Sequence, residues 1–388
     1  MTPAARIAAA VEVLDRWLAG DAAERALINW ARAHRFAGSG DRAAIRDHVF
    51  DAIRRRRSLA ALGGAETGRG LMLGALRAAG ADPDAVFTGE GHAPPPLIAA
   101  ERVVPPSPAD PLVRLDCPDW LAPALRESLG AEFEPVMERL RHRAPVFLRV
   151  NAVRASRDEA AQRLAQDGIA TEPHPLSPTA LEVMTNARRI KASAAYRDGV
   201  VELQDAASQA AVDLLRPLPA GVRALDLCAG GGGKSLALAA AGANVTAHDA
   251  DAARMSDLPE RARRAGAAID LAEPGAAAGL PPFDLVLVDA PCSGSGAWRR
   301  QPEAKWRLDA PRLAELLRTQ DAILDDAARC VRPGGRLAYA TCSLLAAENS
   351  DRVAAFLARR PTFRLEAERR FTPLDGGDGF YMAILEAA

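Results

Sequence analysis

Apolar residues recur at helical spacing over roughly the first eighty residues of the chain. Spacings of three and four residues place them on one face of a helix, where they can pack on a common core. Glycine-containing breaks at 20–21, 38–41 and 63–64 separate the helical segments. The pattern predicts an all-helical domain over residues 1–92 and, from the prolines that follow, a stiff linker over 93–116. The apolar positions that carry this prediction are Ile7, Val11, Leu14, Leu18, Ile45, Val49, Phe50 and Ile53.

Short apolar segments of strand character begin after the linker and alternate with helical patterns. This alternation predicts a small α+β module over residues 117–215. The predicted strands are 146–153, 180–184 and 200–203, and the predicted helices are 120–129 and 157–166.

The last part of the chain, residues 216–388, repeats a strand and a helix several times. Its strands are apolar on both faces, which is typical of a parallel sheet covered by helices on both sides. The fold class is therefore α/β, with a doubly wound, Rossmann-like domain following the α+β module and the all-helical domain. Two late segments, 363–369 and 380–385, are expected to add an antiparallel pair at one edge. The predicted parallel strands are 224–228, 244–249, 268–272, 284–289 and 335–341.

Composition narrows the class of protein only slightly. The 388 residues carry a formal net charge of −1, which by itself does not favour nucleic acid. Five widely spaced cysteines are not a disulfide framework, and none has the spacing of a zinc site, so we expect reduced thiols and no metal. No apolar run approaches the roughly 20 residues of a membrane span, and the first residues lack a signal-peptide pattern. We expect a soluble, monomeric cytoplasmic protein without membrane contact.

A glycine-rich turn follows the first predicted parallel strand, in the sequence DLCAGGGGKS from Asp226 to Ser235. Glycines here let the backbone approach a ligand closely, and the next helix begins with free N–H groups. A nucleotide P-loop requires glycine six residues before the lysine, where this chain has Cys228, and the dinucleotide spacing is a weak match. A site for S-adenosylmethionine requires an acid at this strand and a second acid ending the next, which Asp226 and Asp249 supply.

Two cysteines occupy equivalent positions at the ends of the fourth and fifth predicted strands. Cys292 lies in DAPCSGSG, which begins at Asp289, and Cys342 lies in YATCS. In the usual strand order 3-2-1-4-5 these strands are neighbours, and functional groups gather at their carboxyl ends. A single free cysteine is more often a core residue. Two at matching strand ends indicate chemistry in one cleft.

These segments together resemble the Sun-type (Nol/Nop/Sun) family of RNA cytosine-5 methyltransferases. The resemblance covers about residues 110–388, and the helices before it are similar to the NusB-like RNA-binding domain of bacterial members that act on ribosomal RNA. The segments that carry it are DLCAGGGGKS, DAPCSGSG with RRQPEAKW, TCSLLAAENS, FLRVN at 147–151 and VELQDAASQ at 201–209.

The resemblance implies a role for each motif residue. Cys342 is the expected nucleophile, Cys292 is expected to assist product release, and Asp289 is expected to contact the target base. Arg254 stands at the family's position after Asp249. The residues expected to line the S-adenosylmethionine pocket are Asp226, Cys228, Ala229, Gly230, Gly231, Gly232, Gly233, Lys234, Asp249, Arg254 and Asp289.

The chain departs from the family pattern at the glycine-rich turn. Gly230 and Gly231 stand where the family usually has Ala-Pro. Removing the proline loosens the loop without removing a contacting side chain. The acid expected near the adenine could be Asp270 or Glu273, and both remain open.

The chemistry explains why such a site requires these residue types. Carbon 5 of cytosine is a poor nucleophile, and a thiolate added to carbon 6 turns the ring into an enamine. An acid near ring nitrogen 3, for which Asp289 is the candidate, stabilises the charge that develops there. The target base must be unstacked, which favours single-stranded or loop RNA.

Several alternatives to this interpretation exist. Methylation at an exocyclic nitrogen uses Asn/Asp-Pro-Pro-aromatic after the fourth strand, where this chain has Asp-Ala-Pro-Cys. The DNA-type arrangement would make Cys292 the nucleophile and leave Cys342 unexplained. A transfer RNA substrate and a non-catalytic RNA-binding assembly factor are the other readings.

Basic residues outside these motifs are candidates for RNA contact. Arg54–Arg57 is a run that suits phosphate contact or a solvated helix end equally well. Lys305 and Trp306, after Arg299 and Arg300, suit backbone contact and base stacking, with a plain surface helix as the alternative.

Overall fold

The computed structural model describes residues 1–219 and 221–388, without the side chain of residue 278. Up to residue 143 the described chain is helical. The α-helices are α1 Pro3–Leu18, α2 Ala23–Ala33, α3 Ser39–Arg54, α4 Arg56–Gly63, α5 Gly68–Ala78, α6 Ala99–Arg102, α7 Pro111–Arg114, α8 Ala122–Leu129 and α9 Phe133–Leu140, with 3-10 turns at Pro83–Ala85, Asp119–Leu121 and Gly130–Glu132.

A four-stranded antiparallel sheet follows, in the order β2-β3-β1-β4. Leu148 on β1 and Leu181 on β3 pack with Leu164 of the adjacent helix, and all three are fully buried. The predicted α+β character is therefore confirmed, although β2 was missed because its three residues carry no apolar pattern. The elements are β1 Phe147–Val150, α10 Arg157–Gln166, β2 Thr171–Pro173, β3 Ala180–Val183, a 3-10 turn at Ala187–Ala192, α11 Ala194–Arg197, β4 Val201–Leu203 and α12 Ala206–Asp213.

The remaining chain forms a seven-stranded sheet in the order β10-β11-β9-β8-β5-β6-β7. Five strands from β7 to β9 run parallel, and β11 and β10 add antiparallel strands beside β9. The elements are β5 Arg223–Asp226, α13 Gly233–Ala240, β6 Asn244–His248, α14 Leu258–Ala265, β7 Ile269–Ala272, β8 Phe283–Asp289, α15 Pro302–Arg307, α16 Ala310–Cys330, β9 Val331–Thr341, α17 Ser350–Arg359, β10 Phe363–Phe371 and β11 Phe380–Ala387, with 3-10 turns at Ala252–Met255, Ala277–Gly279, Ser295–Ala297, Ala346–Glu348 and Pro373–Asp375.

The central strand β8 shows why the sheet is covered on both faces. Leu285 and Leu287 pack into one apolar cluster, and Val286 and Val288 pack into a second cluster on the opposite face. Each large apolar side chain buried in this way stabilises the fold by about 1.5–3 kcal/mol. The doubly wound sheet, its strand order 3-2-1-4-5 and the late antiparallel pair are confirmed.

The chain divides into two compact units. The helical unit comprises Met1–Arg126, Gly130–Arg143 and Trp298–Arg307, and the sheet unit comprises Glu127–Leu129, Ala144–Ala297 and Leu308–Ala388. The domain boundaries expected from the sequence stay predictions. No helix in the described ranges is both long and apolar enough to cross a membrane.

The sequence interpretation of Lys305 as an RNA contact is wrong, whereas base stacking by the partly exposed Trp306 stays a prediction. Lys305 is 1% exposed, and its Nζ donates to the carbonyl oxygen of Arg54 at 2.9 Å. The indole Nε1 of Trp306 donates to the Ile53 carbonyl at 2.7 Å. Both side chains therefore fasten α15 within the helical unit, because they satisfy carbonyl oxygens at the end of α3.

The arginine run at 54–57 also has internal partners. Arg54 is buried and donates to the Arg299 carbonyl at 2.7 Å. Arg56 pairs with Glu66, and Arg57 pairs with Asp119 at 2.7 Å. These three guanidinium groups are thus engaged in holding the helical unit together.

Candidate active site

The glycine-rich turn between β5 and α13 needs glycine at a specific position. Gly232 has φ +76°, a left-handed conformation that side chains disfavour. A Cβ atom at this residue would also lie 2.1 Å from Leu258 Cδ1. The turn is closed by a hydrogen bond from the Gly232 amide to the Ala229 carbonyl at 2.8 Å. The turn can therefore pack against Leu258 of α14 only because residue 232 has no side chain.

Asp249 lies directly after β6 and binds the same turn. Its carboxylate accepts hydrogen bonds from the Gly230 amide at 2.9 Å and the Asp251 amide at 3.0 Å. Arg254 forms an ion pair with it at 3.2 Å. Asp249 and Arg254, both expected at the cofactor pocket, thus lie together beside the turn.

Asp226 lies beneath the turn. The residue is 1% exposed, and its Oδ2 accepts a hydrogen bond from the Ser235 hydroxyl at 2.6 Å. Its Oδ1 has no hydrogen-bond partner among the described residues. Burial raises the pKa of Asp226 to about 6. The carboxylate therefore anchors the first turn of α13, and its contact with a cofactor stays a prediction.

Two arginines that the sequence analysis did not single out hold the carbonyl groups of the turn. Arg149 on β1 donates to the Gly233 carbonyl at 2.5 Å, and Arg261 on α14 donates to the Gly231 carbonyl. Glu202 on β4 pairs with Arg261 at 3.4 Å. Arg149 belongs to the FLRVN segment and Glu202 to the VELQD segment. The only sequence feature that could have identified them as functional is a charged residue within a short apolar strand.

Arg261 also explains why this chain tolerates the loss of the expected proline. A Cβ atom at Gly231 would lie 2.9 Å from the Arg261 Nη1 atom. A side chain or a ring at this position would therefore compete with the guanidinium for the same space. The glycine at 231 therefore leaves room for the Arg261 guanidinium of α14, which holds the turn by a hydrogen bond to the Gly231 carbonyl.

The two motif cysteines meet at the carboxyl ends of neighbouring strands. β8 and β9 are parallel, with Asp289 opposite Ala340. The Sγ atoms of Cys292 and Cys342 lie 3.4 Å apart, and both residues are partly exposed. The predicted convergence of the two thiols in one cleft is therefore what the geometry shows.

Lys234 and Asp289 form the charged part of the same cleft. The Lys234 Nζ lies 2.5 Å from Asp289 Oδ2 and stacks 4.8 Å from the centre of the Phe380 ring. Burial opposes the charge of Lys234, but the Asp289 carboxylate outweighs burial and raises the pKa of the amine. Cys342 lies close enough to add to this effect. The cleft thus contains one ion pair beside the two thiols, and the expected contact of Asp289 with the target base stays a prediction.

The turn has the chemistry that S-adenosylmethionine requires. Cys228 lies among the carboxylates of Asp226, Asp249 and Asp289, and burial together with these charges raises its thiol pKa to about 12. Three acids suit a ligand with a cationic sulfonium, an amine and ribose hydroxyls. The residues present fit the cofactor.

Comparisons with known proteins decide the family. A model described as 16S rRNA methyltransferase RsmB/F matches residues 213–385, and a model described as the ferredoxin-like domain of RsmF/B-like methyltransferases matches residues 117–189. The chain belongs to the RsmB/F, Sun-type family of S-adenosylmethionine-dependent methyltransferases. The resemblance found in the sequence is confirmed.

Two curated relatives of this RsmB/F-type chain are both named ribosomal RNA small subunit methyltransferase B. The protein of Klebsiella pneumoniae subsp. pneumoniae is 36% identical over 283 residues, covering 69% of this chain and 65% of that protein. The protein of Cronobacter sakazakii is 38% identical, covering 69% and 66%. The chain thus matches slightly under two thirds of the length of these relatives.

The fold of the RsmB/F-type chain is also similar to a solved structure over its whole length. The crystal structure of PH0851 superposes with a TM-score of 0.78 at 24% identity, covering 100% of this chain and 99% of that one. This likeness extends through the helical residues that precede the two family models.

Proposed function

We propose that this chain methylates carbon 5 of a cytosine in ribosomal RNA, with Cys342 as the nucleophile. The observation that carries the proposal is the 3.4 Å contact between Cys292 and Cys342, beside the Lys234–Asp289 pair. The names of the curated relatives support a ribosomal RNA substrate. The non-catalytic alternative has no support in a cleft that keeps both thiols, the lysine and the acid.

Cys342 performs the first step of the proposed reaction. Its thiolate adds to carbon 6 of the cytosine, and the ring electrons move to make carbon 5 nucleophilic. Lys234 supplies the cation of this cleft through its pair with Asp289. Asp289 is placed to stabilise the charge that develops at ring nitrogen 3. When bound, S-adenosylmethionine supplies the electrophilic methyl group that carbon 5 accepts.

Cys292 is assigned to the release step. After methylation the bond between carbon 6 and sulfur breaks and its electron pair returns to Cys342, to which the Cys292 thiol 3.4 Å away gives its proton. The Cys292 thiolate left behind takes the proton on carbon 5, and the electron pair of that C–H bond forms the carbon 5–carbon 6 double bond. Burial and the neighbouring Cys342 raise the pKa of Cys292 well above its usual range, so Cys292 is held as a thiol. Cys292 is therefore protonated before the RNA binds.

The proposal is tested on RNA from cells that lack the gene. Bisulfite sequencing is expected to show one ribosomal RNA cytosine that loses its protection, restored by the wild-type chain. Unchanged ribosomal RNA together with a newly reactive transfer RNA cytosine would move the substrate to transfer RNA. Unchanged RNA of both kinds would overturn the proposal.

We further propose that the chain acts as a monomer in the cytoplasm, where ribosomal RNA is available. Static light scattering should return a mass near the 41.0 kDa of one chain. A mass of twice this value would contradict the monomer.

A further inference from the structure

A carboxylate lies beneath the two cysteine turns and is not part of any motif role discussed above. Glu348 ends the 3-10 turn after β9 and is fully buried, with 0% of its surface exposed. Its Oε1 accepts hydrogen bonds from the Ser293 amide at 2.8 Å and the Gln320 Nε2 at 3.0 Å. Its Oε2 accepts from the hydroxyls of Ser293 and Ser343, each at 2.5 Å.

The donors bound by Glu348 are the residues next to the two thiols. Ser293 follows Cys292, and Ser343 follows Cys342. The same Gln320 amide also donates to the Pro291 carbonyl at 3.0 Å, on the other side of Cys292. The Glu348 carboxylate is thus hydrogen-bonded to the turn after Cys292 and to the turn after Cys342. Through Gln320 on α16 it is also linked to Pro291, the residue before Cys292.

Burying the Glu348 carboxylate costs free energy, and this cost argues that the residue has a specific role. A buried carboxylate is expensive unless it is paired with a cation or fully hydrogen-bonded. Among the residues that the structure describes, Glu348 forms no ion pair, and four hydrogen bonds satisfy it instead. An apolar residue in its place would leave these four donors buried without an acceptor. A neutral side chain could not bind this set of donors.

We propose that Glu348 is a positioning residue that fixes the turns after Cys292 and Cys342 against each other, so that both sulfurs face one base. The catalytic part of this inference rests on the proposed function. Glu348 does not touch the RNA, and its effect passes through Ser293 and Ser343.

The charge of Glu348 also acts on the Cys292 thiol. The hydrogen bond with Cys342 and burial raise the pKa of Cys292 most, and the charges of Cys342 and Glu348 add to them. Tyr339, whose hydroxyl donates to the Glu348 carbonyl oxygen at 2.8 Å, faces the same thiol. Lys234 instead faces Cys342. Removing the Glu348 charge should therefore make Cys292 ionise more readily.

The first test needs no methyl transfer and uses the full chain. Cys292 is alkylated with iodoacetamide at a series of pH values in a Cys342→Ser background, with and without Glu348→Gln. Glu348→Gln is expected to move the alkylation profile down by about one pH unit, since a nearby negative charge is lost. Glu366→Gln, at an exposed position on β10, is the matched control and should leave the profile unchanged. An unmoved profile in Glu348→Gln would overturn the electrostatic part.

The second test measures whether the placement of the two turns by Glu348 matters for catalysis. Glu348→Asp keeps the charge but shortens the side chain, so it should leave the Cys292 profile in place and lower kcat at least tenfold, with the KM for S-adenosylmethionine unchanged. Ser343→Ala removes the hydroxyl that donates to Glu348, and with it the acceptor of the Leu345 amide, but leaves three of the four hydrogen bonds to Glu348 in place. It should lower kcat several-fold and serves if the Glu348 variants do not fold. Wild-type kcat in folded Glu348→Asp and Ser343→Ala would overturn the positioning role. A wild-type chain without methyl transfer would defeat the proposed function alone, because the alkylation profile would still report on Glu348.

Discussion

Lys234 and Asp289 face each other at 2.5 Å, although one begins a helix after the first parallel strand and the other ends the fourth. Each limits what the other can do. The Asp289 carboxylate raises the pKa of the Lys234 amine, and the positive charge of Lys234 neutralises that carboxylate before the cytosine base binds. This pair links the cofactor turn to the thiol cleft.

Asp289→Asn should therefore impair the reaction through both residues. The amide cannot act as an acid toward the negative charge that develops at ring nitrogen 3 when the thiolate adds, and it leaves the buried Lys234 without its ion-pair partner. We expect methyl transfer to fall by about 100-fold, in line with the loss of one preorganised electrostatic contact. Single-turnover transfer to RNA measures this, and Glu315→Gln on the exposed face of α16 is the control. Undiminished transfer in Asp289→Asn would remove Asp289 from the mechanism.

Asp249→Ala should weaken cofactor binding while leaving the fold intact. The substitution removes an acceptor of charge-assisted hydrogen bonds, which contribute about 1.5–3 kcal/mol each. Calorimetry with S-adenosylmethionine is the measurement. Asp251→Ala is the matched control, since its carboxylate caps the Ala253 amide two residues away. Equal affinities of the Asp249 variant and the wild type would show that the acid does not bind the cofactor.

The two cysteines should fail in different ways. Cys342→Ala removes the nucleophile, so neither a covalent adduct nor methylated RNA should form. Cys292→Ala leaves Cys342 able to attack, and the methylated RNA should stay bound through sulfur. Denaturing gel electrophoresis separates this adduct from free RNA. An adduct in Cys342→Ala and none in Cys292→Ala would reverse the assigned roles.

Gly231 and Arg261 should be energetically coupled. A Cβ atom at 231 displaces the guanidinium that holds the turn, so Gly231→Ala and Arg261→Ala should each weaken cofactor affinity. Because both remove the same hydrogen bond, the double variant should lose little more than either single one. A double-mutant cycle by calorimetry tests this. Fully additive losses would mean that the two residues act independently.

Lys305 should make the stability of the chain depend on pH in the alkaline range. Burial lowers its pKa from 10.5 to about 8, so between these values the unfolded chain binds the proton more tightly. The Lys305 contribution to the free energy of unfolding therefore rises as pH increases from about 8 to about 10.5, by about 3 kcal/mol in total. Urea unfolding of wild type and Lys305→Met at several pH values measures the difference between them. Lys191→Met, at an exposed lysine, is the control, and parallel curves for wild type and Lys305→Met would contradict the assignment.

Local pattern was enough to determine the order of the elements and the motifs that they carry. Residues adjacent in sequence are enough to show the apolar run of β8, the glycines at 230–233 and the two Cys-Ser turns. A parallel sheet then brings the ends of its strands together by topology alone. The convergence of Cys292 and Cys342 was predictable for this reason.

Only the tertiary structure decided which polar side chains face a ligand and which are used internally. Arg261 and Glu348 act on turns that lie far from them in the sequence, and Lys305 is buried against a carbonyl some 250 residues away. The sequence around a charged residue looks the same whether its side chain contacts solvent, RNA or a buried hydrogen-bond acceptor. Its partner is set by the packing of distant elements, because hydrogen bonds and desolvation depend on which groups end up within about 3 Å of each other.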